Sequence, residues 1–231
     1  MPTEPMTGAI PGLALEARLW LLLSPALPIG GYSFSHGLES ACRAGLVHDS
    51  HSAARWLLEL GRSMLGSVDL PLLDRLLDAA ARADGAAFAR WNDELLAQRE
   101  SAELLREDEA QGAALARLLP ALAVTPRVPL PRPMSLAAAY APVAMSWRLE
   151  PARALAGYTW IWFEQQVAAA TRIVPLGHSD ALALLLQIAD QLDALVDGAQ
   201  QIEDDEIGAA APGLAVLSSA HEQQPARQFR S

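Results

Sequence analysis

The chain has 231 residues, of which 52% are hydrophobic, so it has enough apolar surface for a buried core and wholesale disorder is excluded. All 17 basic residues are arginine, which excludes a Schiff-base lysine, a Walker A lysine and a lysine general base. The formal net charge of −10 opposes a nucleic-acid-binding role, because such proteins need a basic surface.

Cysteine usage and the N-terminal composition indicate where the protein works. The single Cys42 cannot form an intramolecular disulfide, which is typical of a reducing compartment. Residues 1–12 contain Glu4 and no basic residue, so they lack the charged start of a signal peptide. The apolar run over residues 19–30 is too short to span a bilayer. We therefore expect a cytoplasmic protein without a membrane association, and a flexible N-terminus over residues 1–12.

The first half of the chain has the spacing of amphipathic helices. Apolar residues recur at i, i+3, i+4, i+7 and i+11 from Ala53 to Met64. A second helix is predicted to begin with Asp69 as its N-cap and Pro71 in its first turn. Residues 101–119 form another predicted helix, ended by a proline. The acidic residues around its start are predicted to form a solvated face: Glu100, Glu103, Glu107, Asp108 and Glu109.

Two further helices are predicted in the second half. Residues 152–173 are apolar on all sides of a helical wheel, which indicates a helix buried at the centre of a bundle. At least one of Glu164, Gln165 and Gln166 is predicted to be buried there with hydrogen-bond partners. A late amphipathic helix is predicted from the spacing of Leu182 to Val196, with Ser179 or Asp180 as its cap.

These patterns together predict an all-α fold, a single-domain helical bundle. Alternating β–α units and hairpin signals are missing from the sequence. Residues 120–133 contain five prolines and predict an extended or poorly ordered internal connection. The domain is predicted to cover residues 13–211, followed by a mobile tail over residues 212–231.

The densest unusual region is the loop over residues 24–39, where prolines end one helix and glycines permit backbone angles that other residues resist. One interpretation is a shaped corner between two helices. The alternative is a rigid loop that displays Tyr32, Ser33 and His36 to a partner. The C-terminal residues Arg227, Phe229 and Arg230 are of the types that anchor interfaces, so a tail that orders on binding is a second hypothesis.

Signatures of common catalytic sites are missing: the sequence has no G-x-S-x-G, H-E-x-x-H, G-x-G-x-x-G or C-x-x-C motif. His48 and His51 stand three residues apart and are weak candidates for metal ligands, since two ligands do not make a tight site. Capping of the following helix by Asp49 or Ser50 is the simpler interpretation of this segment.

Several motifs in the same order resemble the UreF family of urease accessory proteins, over nearly the whole chain. They are LSPALPIGGYSFSHGLE at 23–39, QRESAEL at 98–104, YTWIWFEQQVAAA at 158–170, VPLG at 174–177, APGL at 211–214 and RQFRS at 227–231. The resemblance implies an all-α protein that dimerises and is not an enzyme. It implies binding to a UreD/UreH-type accessory protein, recruitment of the nickel-carrying UreG GTPase, and delivery of nickel into apo-urease. Nickel would be handled by the complex, with no cofactor bound tightly by this chain.

The resemblance also implies roles for individual residues. The prolines and glycines of the glycine-rich loop and of a second turn are predicted to be structural: Pro28, Gly30, Gly31, Gly37, Pro175 and Gly177. In the family the loop and the tail contact partners, which implies that Arg227 is the tail arginine that orders on partner binding and that Tyr32 is the loop residue beside it. Together with the residues singled out above, the full set predicted to bind partners is Tyr32, Ser33, His36, Glu39, Arg172, Arg227, Phe229 and Arg230.

Two alternative functions remain open at this stage. The first is a GTPase-activating or GTPase-regulating role, in which an exposed arginine such as Arg172, Arg227 or Arg230 acts on the GTPase. The second is direct nickel binding by His48 and His51.

Overall fold

The computed structural model describes residues 12–208 and 211–230, and all regular structure in those ranges is helical, which confirms the predicted all-α fold. The α-helices are Gly12–Leu23 (α1), Leu38–Arg43 (α2), Ser50–Leu60 (α3), Leu70–Ala81 (α4), Gly85–Ala97 (α5), Ala102–Leu118 (α6), Leu136–Ser146 (α7), Pro151–Ile173 (α8), His178–Ala189 (α9), Leu192–Gln200 (α10) and Pro212–Glu222 (α11). No helix in the described ranges is long and apolar enough to cross a membrane.

Helices α3 and α4 form one continuous rod through a π-helical segment, Gly61–Asp69. The rod begins at a capping box, in which the Asp49 carboxylate accepts the backbone N–H of Ser52 at 2.8 Å, so the predicted cap is confirmed. Helix α4 begins at Leu70 with Pro71 in its first turn, as predicted, but the prediction that Asp69 caps it is wrong. Its φ of −65° and ψ of −47° are helical, and its side chain makes no capping hydrogen bond, because it is paired inside the protein instead.

Helix α8 lies at the centre, as its uniform hydrophobicity predicts. It packs against α1, α2, α3, α4, α9 and α10. Leu155 and Phe163 in this helix are fully buried, and Gln165 and Gln166 are 5% and 1% exposed, which confirms that an amide is buried. The predicted hydrogen-bond partners are not found for Gln166 Oε1, which has none among the described residues. A helix surrounded by other helices needs apolar residues on every face.

The prediction of a single late helix from Leu182 to Val196 is wrong. The chain turns at Asp190 and Gln191, so this segment forms two helices, α9 and α10. The break lets α9 pack on α3 and α8 while α10 packs on α4 and α8. Gly177 is the N-cap of α9 and offers no side chain, so neither predicted capping residue is used.

The proline-rich connection between α6 and α7 is extended and is held against the bundle. Val124 and Val128 are each 5% exposed. The Asn92 side chain donates to the Pro133 carbonyl oxygen at 3.1 Å and accepts the Ser135 N–H at 2.9 Å. Because α6 and α7 also pack against each other, the connection lies within one helical body.

The connection passes so close to α6 that replacing Gly112 should destabilise the protein strongly. A Cβ added there would lie 2.3 Å from the Met134 carbonyl oxygen, a backbone atom that cannot rotate away. We expect Gly112→Ala to lower the free energy of unfolding by about 1–3 kcal/mol, measured by urea denaturation. The matched control is Gly198→Ala in α10, where nothing lies within 4 Å. It should be neutral or stabilising by up to about 1 kcal/mol, and equal effects in both variants would contradict the packing account.

The predictions of a flexible N-terminus and of a mobile C-terminal tail are both corrected where the structure describes these segments. The expectation of a tail without regular structure from Pro212 is wrong, because α11 packs against α2 and α6 and buries Leu214. Gly12, predicted to be flexible, is the first residue of α1. The rest of the predicted flexible N-terminus, residues 1–11, lies outside the described residues.

Candidate functional site

The glycine-rich loop is shaped by three residues with left-handed backbone angles. Gly30 and Gly37 have φ values of 83° and 78°, and His36 has a φ of 51°. Gly31 does not need such an angle. A Cβ at Gly31 would instead lie 2.2 Å from the amide end of the Gln165 side chain, so a larger residue there would have to displace that side chain from its place on α8. Gly177, the other predicted structural glycine, has an ordinary φ of −69°.

The end of the chain docks on the outer side of this loop. The backbone N–H of Arg230 donates to the Ser33 carbonyl oxygen at 2.9 Å. The Arg172 guanidinium donates to the Tyr32 carbonyl oxygen at 3.1 Å and lies 4.6 Å from the centre of the Phe229 ring. Phe229 is only 4% exposed, so the tail is anchored by a buried aromatic side chain.

The Glu39 carboxylate receives the tail backbone. It accepts the N–H of Gln228 at 2.9 Å and the N–H of Phe229 at 2.9 Å, and it lies 3.3 Å from His221 Nε2. Partial burial raises the pKa of Glu39, but the two backbone N–H groups and His221 outweigh that effect and hold the pKa below its ordinary value. The ionised carboxylate therefore stabilises the docked tail.

A second buried carboxylate joins the tail to α6. Glu103 is 2% exposed, and its two oxygens contact His221 Nδ1 at 2.7 Å and the Arg227 guanidinium at 2.6 Å. His221 is fully buried between Glu39 and Glu103. An imidazolium can donate from both nitrogens, so the ring is suited to bridge two carboxylates.

The prediction of a solvated acidic face on α6 is wrong for its central residues. Glu103, Glu107 and Asp108 are all at most 6% exposed. Asp108 Oδ2 accepts from Arg99 Nε at 2.8 Å, and Asp69 binds the same guanidinium through both oxygens, at 2.5 and 3.1 Å. Burial raises the pKa of Asp108 despite the neighbouring guanidinium, and the two carboxylates hold the Arg99 pKa well above its ordinary value, although burial acts to lower it.

The interpretation that the loop displays His36 to a partner is wrong for the conformation described. His36 is 6% exposed and its ring lies inside the bundle. Its Nε2 is 2.8 Å from Met64 Sδ, its Nδ1 is 3.4 Å from Glu107 Oε2, and its ring meets Trp162 edge-on at 5.6 Å between centres. This side of the loop fixes the loop to the core.

Tyr32 and Glu164 form a half-buried pair below the loop. Burial raises the pKa of Glu164, and burial together with the Glu164 carboxylate raises the pKa of Tyr32 to about 12. Tyr32 therefore stays protonated and can donate to the carboxylate at any physiological pH.

His48 and His51, the weak candidates for metal ligands, are not part of a larger group of ligand residues in the part of the chain that the structure describes. His48 Nε2 lies 3.7 Å from Asp49, and both side chains are more than half exposed. Within the part of the chain that the structure describes, no group of three or more His, Cys, Asp or Glu residues could hold a metal ion.

The structure thus brings the loop and the tail together, although they are about 190 positions apart in the chain. Several of the residues predicted to bind partners meet at this junction: Tyr32, Ser33, Glu39, Arg172, Phe229 and Arg230. Arg227 lies next to them and binds Glu103 on α6. Sequence reasoning missed the supporting residues Asp69, Arg99, Glu103 and His221. A usable signal existed on α6, where Glu103, Glu107 and Gln111 recur every four residues on the face that carries Leu104 and Leu115.

The low pKa of Glu39 predicts how tail docking depends on pH. A carboxylate with a pKa lower in the docked state stabilises docking above its undocked pKa, about 4.3, and that contribution is lost as the pH falls through the docked value. We expect the backbone amide proton shifts of Gln228 and Phe229 in NMR spectra to follow the titration of Glu39, with a midpoint below the ordinary glutamate value of about 4.3. Glu39→Gln should abolish this titration. A midpoint above about 4.3 would contradict the assignment.

The class of protein defined by these observations is an all-α protein whose C-terminal segment is held on a glycine-rich loop by the partly buried carboxylate of Glu39 and the buried carboxylate of Glu103. The family model for UreF matches residues 47–189. A relative from Chromohalobacter salexigens is 40% identical over 232 residues, covering all of both chains. Relatives from Alkalilimnicola ehrlichii and Pseudomonas putida are 41% and 42% identical, over 96% and 93% of this chain and 97% and 96% of theirs. All three are described as urease accessory protein UreF. The chain belongs to the UreF family.

Proposed function

We propose that this chain acts in urease maturation as a recruitment scaffold. With a UreD/UreH-type accessory protein, it would bring the UreG GTPase to apo-urease, and nickel would pass through the complex as cargo without being held tightly by this chain. The observation that carries the proposal is the junction of loop and tail, which joins two motifs shared with the family into one surface. The proposal assigns no catalytic step to the chain.

The exposed part of the junction is suited to contact a protein. Ser33, Arg172 and Arg230 are exposed, while the Phe229 ring beneath them is buried. Arginine guanidinium groups make planar, bidentate contacts with carboxylates, and the buried aromatic ring holds the segment that presents them. The acidic remainder of the surface would favour the approach of partners with basic patches.

A homodimer in the cytoplasm is part of the same proposal. Leu182 and Leu186 on α9 are 64% and 69% exposed, and they lie four residues apart on one helix face. Exposed apolar pairs of this kind are suited to a contact between subunits.

One observation favours the alternative of a GTPase regulator. The guanidinium of Arg230 is exposed and makes no hydrogen bond or ion pair with any described residue, so it is free to reach another protein. Arg172 and Arg227 are engaged with Tyr32 and Glu103. If the chain regulates GTP hydrolysis, Arg230→Ala should change the hydrolysis rate of the partner GTPase by about 10³-fold, whereas Arg172→Ala should not.

The scaffold role is tested by co-expressing urease and its other accessory proteins with and without this chain. We expect urease activity and bound nickel to be lost together without the chain and to return with it. Measuring both quantities separates failed nickel insertion from an inactive but nickel-filled enzyme. Equal nickel content in the presence and absence of the chain would overturn the proposal.

A further inference from the structure

Helix α6 has a second, opposite face that the tail does not use. Its buried face carries carboxylates, whereas its outer face carries Arg106, Ala110, Ala113 and Arg117 at i, i+4, i+7 and i+11, which places them in one stripe. This stripe and the proline-rich residues 130–134 form the two walls of an open groove with a volume of about 680 Å³. We call this feature the α6 groove.

The proline-rich wall of the α6 groove is held in place by contacts to the bundle. The Pro133 carbonyl oxygen accepts a hydrogen bond from Asn92, and Met134 passes directly over Gly112. The other wall is a helix. A groove with two fixed walls needs little ordering when a ligand binds, which favours affinity.

The charge of the α6 groove is opposite to that of the whole chain. Its lining includes three arginines, Arg106, Arg117 and Arg132, and one acidic residue, Glu109, in a protein with a net charge of −10. All three arginines are exposed, and none of their guanidinium groups makes an ion pair or hydrogen bond with another described residue. Between α4 and α5, by contrast, Arg75 and Arg82 are paired with aspartates. The groove arginines are therefore available to an anionic ligand.

We propose that the α6 groove binds an extended polypeptide segment that carries two carboxylates on one side with small apolar residues between them. Arg106 and Arg117 are eleven residues apart, or about 16 Å along the helix. Carboxylates four positions apart in a strand are about 13 Å apart on the same side, within the reach of two long arginine side chains. The alanines between the arginines accept small apolar side chains, and Arg132 binds the segment from the opposite wall.

The shape and lining favour this ligand over two others. A helix with its side chains is about 10–12 Å wide, and three turns of it would overfill the groove. A single-stranded nucleic acid needs aromatic side chains for base stacking, and the lining has none.

The test uses the full chain and a fluorescein-labelled, C-terminally amidated peptide of sequence Glu-Ala-Val-Ala-Glu, with Gln-Ala-Val-Ala-Gln as the neutral control. Fluorescence anisotropy should show saturable binding of the acidic peptide, with the neutral peptide at least tenfold weaker. Arg106→Gln combined with Arg117→Gln should weaken binding at least tenfold. The matched charge control combines Arg55→Gln with Arg148→Gln at two other exposed arginines, and it should change the Kd less than twofold.

Each other outcome overturns the proposal. Absence of saturable binding below about 1 mM would show that the groove does not take this ligand. Equal losses in the two double variants would show only a general effect of net charge. Tighter binding of a twelve-nucleotide single-stranded DNA, lost in the groove variant, would replace the polypeptide by a nucleic acid. A dimer that dissociates in the groove variant alone would make the groove a contact between copies of this chain.

Discussion

Replacing Arg99 by methionine should lower the free energy of unfolding by about 3–5 kcal/mol, because it leaves two buried carboxylates without a counter-charge. Asp69 and Asp108 are 2% and 6% exposed and both bind the Arg99 guanidinium. The expected loss is measured by urea denaturation followed by circular dichroism at pH 7.5. Helix α6 and the π-helical segment would lose the side chain that holds them together.

The matched control for this prediction is Arg62→Met. Arg62 pairs with Glu59 at 3.0 Å, but both side chains are more than half exposed, so the change should cost less than about 1 kcal/mol. Adding Asp69→Leu to the Arg99→Met variant should recover part of the loss, since it removes one uncompensated charge. A loss in Arg99→Met no larger than that in Arg62→Met would contradict the role of the buried ion cluster.

The loss in free energy of unfolding caused by Arg99→Met should depend on pH. Burial already raises the pKa of Asp108, and without the guanidinium only the Leu136 backbone N–H, which donates to Asp108 Oδ1 at 2.6 Å, opposes that effect. A carboxyl group whose pKa is higher in the folded state favours folding at low pH and loses that advantage as the pH rises towards the folded value. The stability difference between Arg99→Met and the wild type should therefore be smaller at about pH 5 than at about pH 8.

Deleting residues 227–231 should weaken binding of the UreD/UreH-type partner by about 100-fold or more while leaving the helices folded. The deletion removes the Phe229 ring that holds the segment in place and the guanidinium groups of Arg227 and Arg230. Losing these two arginines as interface anchors of about 2 kcal/mol each corresponds to more than that factor. Binding is measured with the purified partner, and folding by circular dichroism and thermal melting.

The point variant Gln228→Ala is the control for the deletion. The exposed Gln228 contributes its backbone N–H to Glu39, and alanine keeps that group, so binding should stay close to that of the wild type. Loss of helical signal in the deletion variant would show that the tail is needed for the fold. Unchanged partner binding by the deletion variant would remove the tail from the proposed interface.

Local rules of the sequence predicted most of the helices. The apolar spacing from Ala53 to Met64, the Asp49 cap and the uniform hydrophobicity of residues 152–173 all correspond to observed elements. These features depend on neighbours within one or two turns, so they can be derived without knowledge of the fold. The order of motifs along the chain was likewise sufficient to identify the UreF family.

Only the tertiary structure decided which polar residues are buried. The charges of Glu103, Glu107 and Asp108 are typical of a solvated helix face, and they are buried because Arg99, His221 and His36 reach them from other elements. Asp69 has the residue type of an N-cap, yet its backbone is helical and its carboxylate binds Arg99 without capping α4. Helix periodicity reports the preference of one segment for water or for a core, whereas a charge can be buried only where a partner from elsewhere compensates its desolvation. For Glu103 that compensation comes from Arg227, which is 124 positions away, and for that reason the sequence alone predicted a free tail and the structure shows a docked one.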